Sequence, residues 1–303
     1  MAGLHDPEIF QHVLNSLHMG VYLVDRERKI VFWNQGAERI TGYMRHEVVG
    51  RFCREDLLAY CDDAGSILQG ATCPLEGALL EGRPREAHVY LRHKSGHRLP
   101  VRVWTSPIRS HDGSVVGAAE SFDEASSVLI PERHQSHLAM YGCLDSATGL
   151  PNHGFTLSHL RESLTCHEEH HLPFGLLRIE VRQLRQLRET RGREAVEAIL
   201  HVVAQTVKHA LPDAFLGRWQ DEQFLAIVSD CSRVDLERAA HDIERIVGCS
   251  AIQWWGDSIS VEVSIGRALV ESGDTIESML ERARPVYPKP AEAVPAPKRK
   301  REN

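Results

Sequence analysis

The 303-residue chain has no run approaching the ~20 consecutive apolar residues that a membrane-spanning helix requires. Its start, Met1 to Phe10, is polar and carries Asp6 and Glu8, so it lacks the basic-then-apolar order of a secretory leader. The seven cysteines show no regular spacing and no C-x-x-C pair, which excludes a disulfide framework and fits a reducing cytoplasm. Positive charge is not in excess: the net charge of −7 offers no electrostatic footprint for nucleic acid or an anionic membrane. What is present is ordinary globular usage, 42% hydrophobic and 25% charged, in a chain long enough for two domains. The expectation is a cytoplasmic protein with no nucleic-acid and no membrane partner.

Asp6-Pro7-Glu8 reads as a helix start, with Ile9, Phe10, Val13, Leu14 and Leu17 on one helical face. Gly20–Asp25 and Ile30–Asn34 read as two strands around a charged turn. From Gly36 to about Gly82 the pattern is short helices broken by glycines. Three strand-like runs follow, Glu86–Arg92, Arg98–Arg109 and Ser114–Phe122. Lys94-Ser95-Gly96-His97 and Ser110-His111-Asp112-Gly113 supply the turns between them. The result is an antiparallel five-stranded sheet with short helices over residues 1–125. This pattern resembles a PAS domain, and the resemblance is carried by Gly20, Asp25, Ile30-Val31-Phe32-Trp33-Asn34, Ala37, Glu38, Gly42-Tyr43 and Gly50. The turn at Gly96 and the terminal Glu120-Ser121-Phe122-Asp123 fit as well. It implies a sensor whose ligand the sequence does not name.

Cys53, Cys61 and Cys73 place three thiols within 21 residues of that helical middle. They suit either a soft-metal or oxidation-sensing group or small buried residues, and the second reading is preferred because free cysteine packs as a small hydrophobe. No histidine between Gly65 and Gly82 offers itself to haem; His88, His93 and His97 are expected at the surface or in hairpins. Cys166-His167-Glu168-Glu169-His170-His171 is metal-like in composition, but it precedes Leu172-Pro173 and reads as a solvated loop.

Residues 126–144 read as a linker interrupted by Pro131. Its Val128, Leu129, Leu138 and Met140 suit either a partner subunit or the base of the chain's own domains. Beyond it, a helix is expected to about His167, a strand over Phe174–Val181 and an amphipathic helix over Glu194–Ala210. A strand pair around Arg218–Val228, a helix over Asp235–Val247, strands through Ile252 and Ile259–Ile265, and a helix over Thr275–Arg284 follow. Alternating strands and helices predict an α/β domain over 145–285, giving an α+β chain overall. Residues 286–303 are rich in Pro, Lys and Arg and read as a disordered tail.

Asp145…Thr148-Gly149-Leu150-Pro151-Asn152 is similar to the D-x-L-T-G-L-P-N-R opening of GGDEF domains. Arg218-Trp219-Gln220-Asp221-Glu222-Gln223-Phe224 aligns with the family's R-Y-G-G-D-E-F, and Val263-Ser264-Ile265-Gly266 with its later S-I-G strand. Active members condense two GTP molecules into cyclic di-GMP between two facing domains, with divalent metal. The resemblance therefore implies Mg²⁺ and GTP where the site is competent, and a homodimer. It places metal at Glu180 and Glu222, with Glu222 also the catalytic acid of the signature. Gln220 and Asp221 replace the two glycines against which the nucleotide lies. Arg185 falls at the phosphate-side lysine, Arg188 at a guanine-reading asparagine, Glu197 at a second guanine-reading acid, and Lys289 at a further phosphate ligand. Leu211 and Ala214 stand where the R-x-x-D feedback site would be.

Bulk at Gln220 and negative charge at Asp221 argue against productive GTP binding, since one like-charge contact at ~4 Å costs ~1 kcal/mol even in water. The expectation is a PAS-coupled signalling protein with weak or no cyclase activity, acting by ligand-dependent dimerisation or by binding a protein partner. The alternatives are an active diguanylate cyclase and a GTP-binding receptor that does not cyclise. Glu180 and Glu222 also read as leftover surface acids paired with nearby arginines, and that reading is preferred.

Overall fold

β1 (Gly20–Asp25) and β2 (Ile30–Trp33) pair antiparallel, with Tyr22 opposite Trp33, and Tyr22, Val24, Ile30 and Trp33 turn into one core. The computed structural model describes residues 7–53, 57–124 and 142–286. Around that hairpin, β3 (Arg85–Arg92), β4 (Arg98–Arg109) and β5 (Val115–Glu124) complete a sheet of order β2-β1-β5-β4-β3, antiparallel throughout. Helix α1 (Pro7–Ser16) precedes it, and α2 (Gln35–Thr41), α3 (Arg45–Val48) and α4 (Pro74–Glu81) follow β2.

Asn34 is the hinge of this arrangement. Its fully buried amide oxygen accepts from the N–H of Ala37 (2.7 Å), capping α2, and of Val21 (2.8 Å). Its amide nitrogen donates to the carbonyls of Leu14 and Met19. One side chain thus ties α1, β1 and α2 together, and no apolar residue could satisfy those four backbone groups.

In the second half, α5 (His153–His170) leads into β6 (Phe174–Val181), α6 (Leu184–Arg191) and α7 (Arg193–Ala210). The chain continues through β7 (Phe215–Gln220), β8 (Gln223–Ser229), α8 (Arg233–Gly248), the hairpin β9 (Ala251–Trp254) and β10 (Asp257–Ser260), then β11 (Val263–Leu269) and α9 (Ile276–Arg282). The main sheet runs β11-β6-β8-β7, every pair antiparallel. β6 is apolar on both faces because both are covered. Leu177, Ile179 and Val181 meet α7 and α8, whereas Phe174 and Leu176 meet α5 and the region of Met279. Each such burial stabilises the domain by roughly 1.5–3 kcal/mol. Asn152 caps α5 and Ser232 caps α8, the latter in a reciprocal box with Asp235.

The structure corrects several sequence expectations. α6 was not foreseen, because Leu184 and Leu187 are its only apolar residues, and it starts directly from Gln183 in left-handed backbone (φ 64°). The expected Ile259–Ile265 strand divides into β10 and β11. Cys166 to His170 are helical rather than a loop, since α5 runs on to a left-handed cap at His171. Pro131, Val128, Leu129, Leu138, Met140 and Lys289, and the tail beyond residue 286, for which the sequence carries expectations, lie outside the described residues.

The two domains touch where β4 begins. His97 stacks between His93 (ring centroids 4.4 Å) and His209 of α7 (5.6 Å), and is only 8% exposed. His97 does lie in the expected hairpin, but at its buried side rather than at the surface, because the second domain covers this turn.

Candidate functional site

The Gln220–Gln223 turn joins β7 to β8, with Gln220 opposite Gln223 and a register irregularity between Arg218 and Gln220. Neither Gln220, Asp221 nor Glu222 has positive φ, so the turn closes without the left-handed backbone that would favour glycine. Arg218 holds it from beneath. Its guanidinium is almost buried, donates to the Asp221 carbonyl and lies 4.9 Å from the Phe224 ring centroid. Burial pushes the Arg218 pKa down, against the pull of Asp145, Asp221 and Glu222.

Glu180, Gln220, Asp221, Glu222 and Gln223 line one open hollow of about 380 Å³. β6 brings Glu180 there through its register opposite Gln223, whose Nε2 donates to Glu180 Oε2 at 2.9 Å. Gln223 Oε1 in turn accepts from Arg178 Nε at 3.1 Å, and Arg178 Nη1 donates to the Leu280 carbonyl. The fourth signature position is therefore a relay between an arginine and an acid. Sequence reasoning missed Arg178, although its place two residues before Glu180, on the same strand face, was a usable signal.

The remaining sequence-derived residues do not line this hollow. Arg185 and Arg188 are exposed on α6, and Glu197 on α7 is ion-paired with Arg193 at 2.6 Å. Leu211 and Ala214 follow α7 with no charge to offer. Glu180 and Glu222 supply hard oxygens suited to Mg²⁺, but among the described residues no three His, Cys, Asp or Glu side chains converge as metal ligands.

The first domain holds a second cavity, of about 470 Å³, with Cys53, Tyr60, Cys73, Arg28 and Glu76 in its wall. Arg28 and Glu76 pair at 2.5 Å. Beside it, fully buried Glu120 accepts from Tyr22 (2.7 Å) and Tyr60 (2.6 Å) on one oxygen and from Thr105 (2.6 Å) on the other. Burial raises the Glu120 pKa, and the three hydrogen bonds oppose that rise. Burial also pushes Cys53 up to about 12 and raises Cys73, so both stay protonated thiols. Cys61 is not in this wall; it faces the other domain.

Among the described residues no helix is long and apolar enough to cross a membrane. Residues 8–120 match the family model of the PAS fold, and residues 143–287 that of the diguanylate cyclase GGDEF domain. A probable diguanylate cyclase of Escherichia coli K12, DgcE, is 23% identical over 274 residues, 90% of this chain. The chain spans 24% of that relative's length. Diguanylate cyclase SiaD of Pseudomonas aeruginosa, solved with its activator SiaC, is 25% identical, covering 51% of this chain and 62% of that one, with a TM-score of 0.46. The GGDEF domain of FimX from the same organism is 20% identical, covering 46% and 88%, with a TM-score of 0.45. The chain belongs to the PAS–GGDEF architecture: a PAS fold followed by a GGDEF domain of the diguanylate cyclase family.

Proposed function

We propose that the chain is a cyclic di-GMP-family signalling protein whose GGDEF domain turns GTP over weakly or not at all and acts through dimerisation or a protein partner. The observation that carries this is the lining of the hollow. Three carboxylates (Glu180, Asp221, Glu222) and two amides face a site that would have to take a triphosphate. Each carboxylate–phosphate contact at ~4 Å costs ~1 kcal/mol in water and ~4 kcal/mol at the dielectric of a partly enclosed surface. Glu180 and Glu222 are the residues that would hold Mg²⁺, which would neutralise phosphate charge. Asp221 adds a third negative charge, and Gln220 puts a side chain where a bare turn would admit the nucleotide.

The PAS cavity takes the signal in this reading. β4 carries it to the second domain, because it pairs with the edge strand that holds Tyr90 and begins at the interdomain contact. Cytoplasmic placement fits the same role. Retention of both Glu180 and Glu222 in one hollow favours, as a second reading, a receptor that binds GTP without cyclising it.

Calorimetric titration of the full chain with GTP and Mg²⁺ tests the proposal. No saturable binding is expected. Saturable binding that Glu222→Ala abolishes, without cyclic product, would establish the receptor reading instead.

A further inference from the structure

Two cysteines 188 positions apart in sequence meet at the domain contact: Cys61 Sγ lies 3.1 Å from Cys249 Sγ. Cys61 is fully buried and fixed to β3 by a reciprocal backbone pair with Tyr90, at 3.0 and 2.8 Å. Cys249 terminates α8, with its N–H on the Arg245 carbonyl, and is only half-buried.

One side chain fastens both backbones. Arg98, 2% exposed, donates from Nη1 to the carbonyl of Ala59, two residues before Cys61. It donates from Nε (3.1 Å) and Nη2 (2.5 Å) to the carbonyl of Cys249 itself. The Arg98 N–H also reaches Thr206 Oγ1 on α7. The surroundings are tight: a Cβ at Gly65 would stand 2.8 Å from the Arg245 carbonyl oxygen, and one at Gly96 2.5 Å from that of Ala251. The thiols are therefore presented to each other by a closely packed interface.

We propose that Cys61 and Cys249 are a covalent modification site, an interdomain disulfide formed by peroxide. A disulfide needs sulfurs ~2.05 Å apart, so the pair must close by about 1 Å, within reach of side-chain rotation. The Cys61 thiol beside it, helped by the Arg98 guanidinium, pulls the Cys249 pKa down to about 7 against its burial, while the same contact drives Cys61 upward. Cys249 is thus the thiolate, and of the two residues it is the one partly exposed to solvent. Its thiolate attacks one peroxide oxygen, forming an S–O bond to sulfenic acid as the O–O bond breaks and hydroxide leaves. The Cys61 sulfur then attacks the Cys249 sulfur. The S–S bond forms, the S–O bond breaks, and the departing hydroxide takes the Cys61 proton as water. Two thiols lose two electrons in all, and one peroxide becomes two waters. The bond would lock the sensor domain onto the output domain, whatever chemistry the nucleotide hollow performs.

The test treats full-length protein with dilute hydrogen peroxide at pH 6, 7 and 8, blocks remaining thiols after unfolding, and maps peptides without reduction. The expected product is an intrachain Cys61–Cys249 linked peptide, reversed by dithiothreitol and absent in Cys249→Ser. With the thiolate favoured at Cys249, its formation rate rises less steeply from pH 6 to pH 8 than the severalfold-per-unit rise of an ordinary thiol. Wild-type protein that ends with Cys61 and Cys249 separately blocked, or linked to other cysteines or other chains, overturns the assignment, and this needs no variant to fold.

Discussion

Replacing Glu120 by alanine removes the one acceptor shared by three buried hydroxyls. Tyr22, Tyr60 and Thr105 all donate to it within 2.7 Å, and each lies in the PAS core. A buried hydroxyl left without a partner costs ~1–3 kcal/mol. Two of them, a Tyr22 hydroxyl left with only the Cys53 sulfur at 3.5 Å, and a new cavity, offset by release of a desolvated carboxyl, give a net loss of about 3–5 kcal/mol. That lowers the PAS transition in a calorimetric scan by at least about 10 °C. Glu120→Gln keeps the shape and separates charge from packing. Because burial raises the Glu120 pKa above its unfolded value, its stabilising contribution is complete below about pH 4.3 and is lost as pH rises through the folded pKa. The difference in stability between wild type and Glu120→Gln should therefore shift against wild type from pH 5 to pH 8. An alanine variant within 1 kcal/mol of wild type, or a glutamine variant with an unchanged pH slope, would refute the assignment of Glu120 as the buried hub.

Three other outcomes follow from the same structure. Gly266→Ala drives a Cβ into the Ala283 carbonyl at the end of α9, and denaturant unfolding should show a loss of about 1–3 kcal/mol. Burial and the neighbouring His93, His209 and His201 depress the His97 pKa to about 2; burial, His209, His201 and Lys94 depress that of His93 to about 4. Stability from these two neutral rings is present above pH 6.5 and lost as pH falls below it, by about 1.4 kcal/mol per pH unit per histidine; His97→Leu should flatten that acid slope in calorimetry. Joint Gln220→Gly and Asp221→Gly substitution removes bulk and one charge from the hollow, and should bring saturable Mg²⁺·GTP binding into the titration above, where the wild-type chain shows none.

Much of the fold was legible because periodicity and turn chemistry agree. Gly96 and Gly113 sit in the predicted hairpin turns, and Phe174–Val181 is a strand with the bounds its apolar run suggested. The site was legible only where register carries it. Glu180 and Glu222 meet because β6 pairs with β8, and the signature's own spacing placed Gln220 and Asp221 at the turn. Arg185 and Arg188 fall by analogy on a helix the sequence does not reveal, and Glu197 on the expected helix after it, and all three lie outside the hollow's wall. Contacts between distant segments left no local trace. Arg98 reads as an ordinary first residue of a strand and His97 as an ordinary turn residue, yet docking of the second domain buries both. For the same reason the sequence grouped Cys61 with Cys53 and Cys73, whereas the fold pairs it with Cys249.

The most direct measurement is chromatographic quantification of cyclic di-GMP after the purified chain is held with excess GTP and Mg²⁺. A hollow walled by Gln220, Asp221 and two glutamates predicts little or no product above a Glu222→Ala control. Steady multiple turnovers by the wild-type chain, lost in that control, would contradict the account.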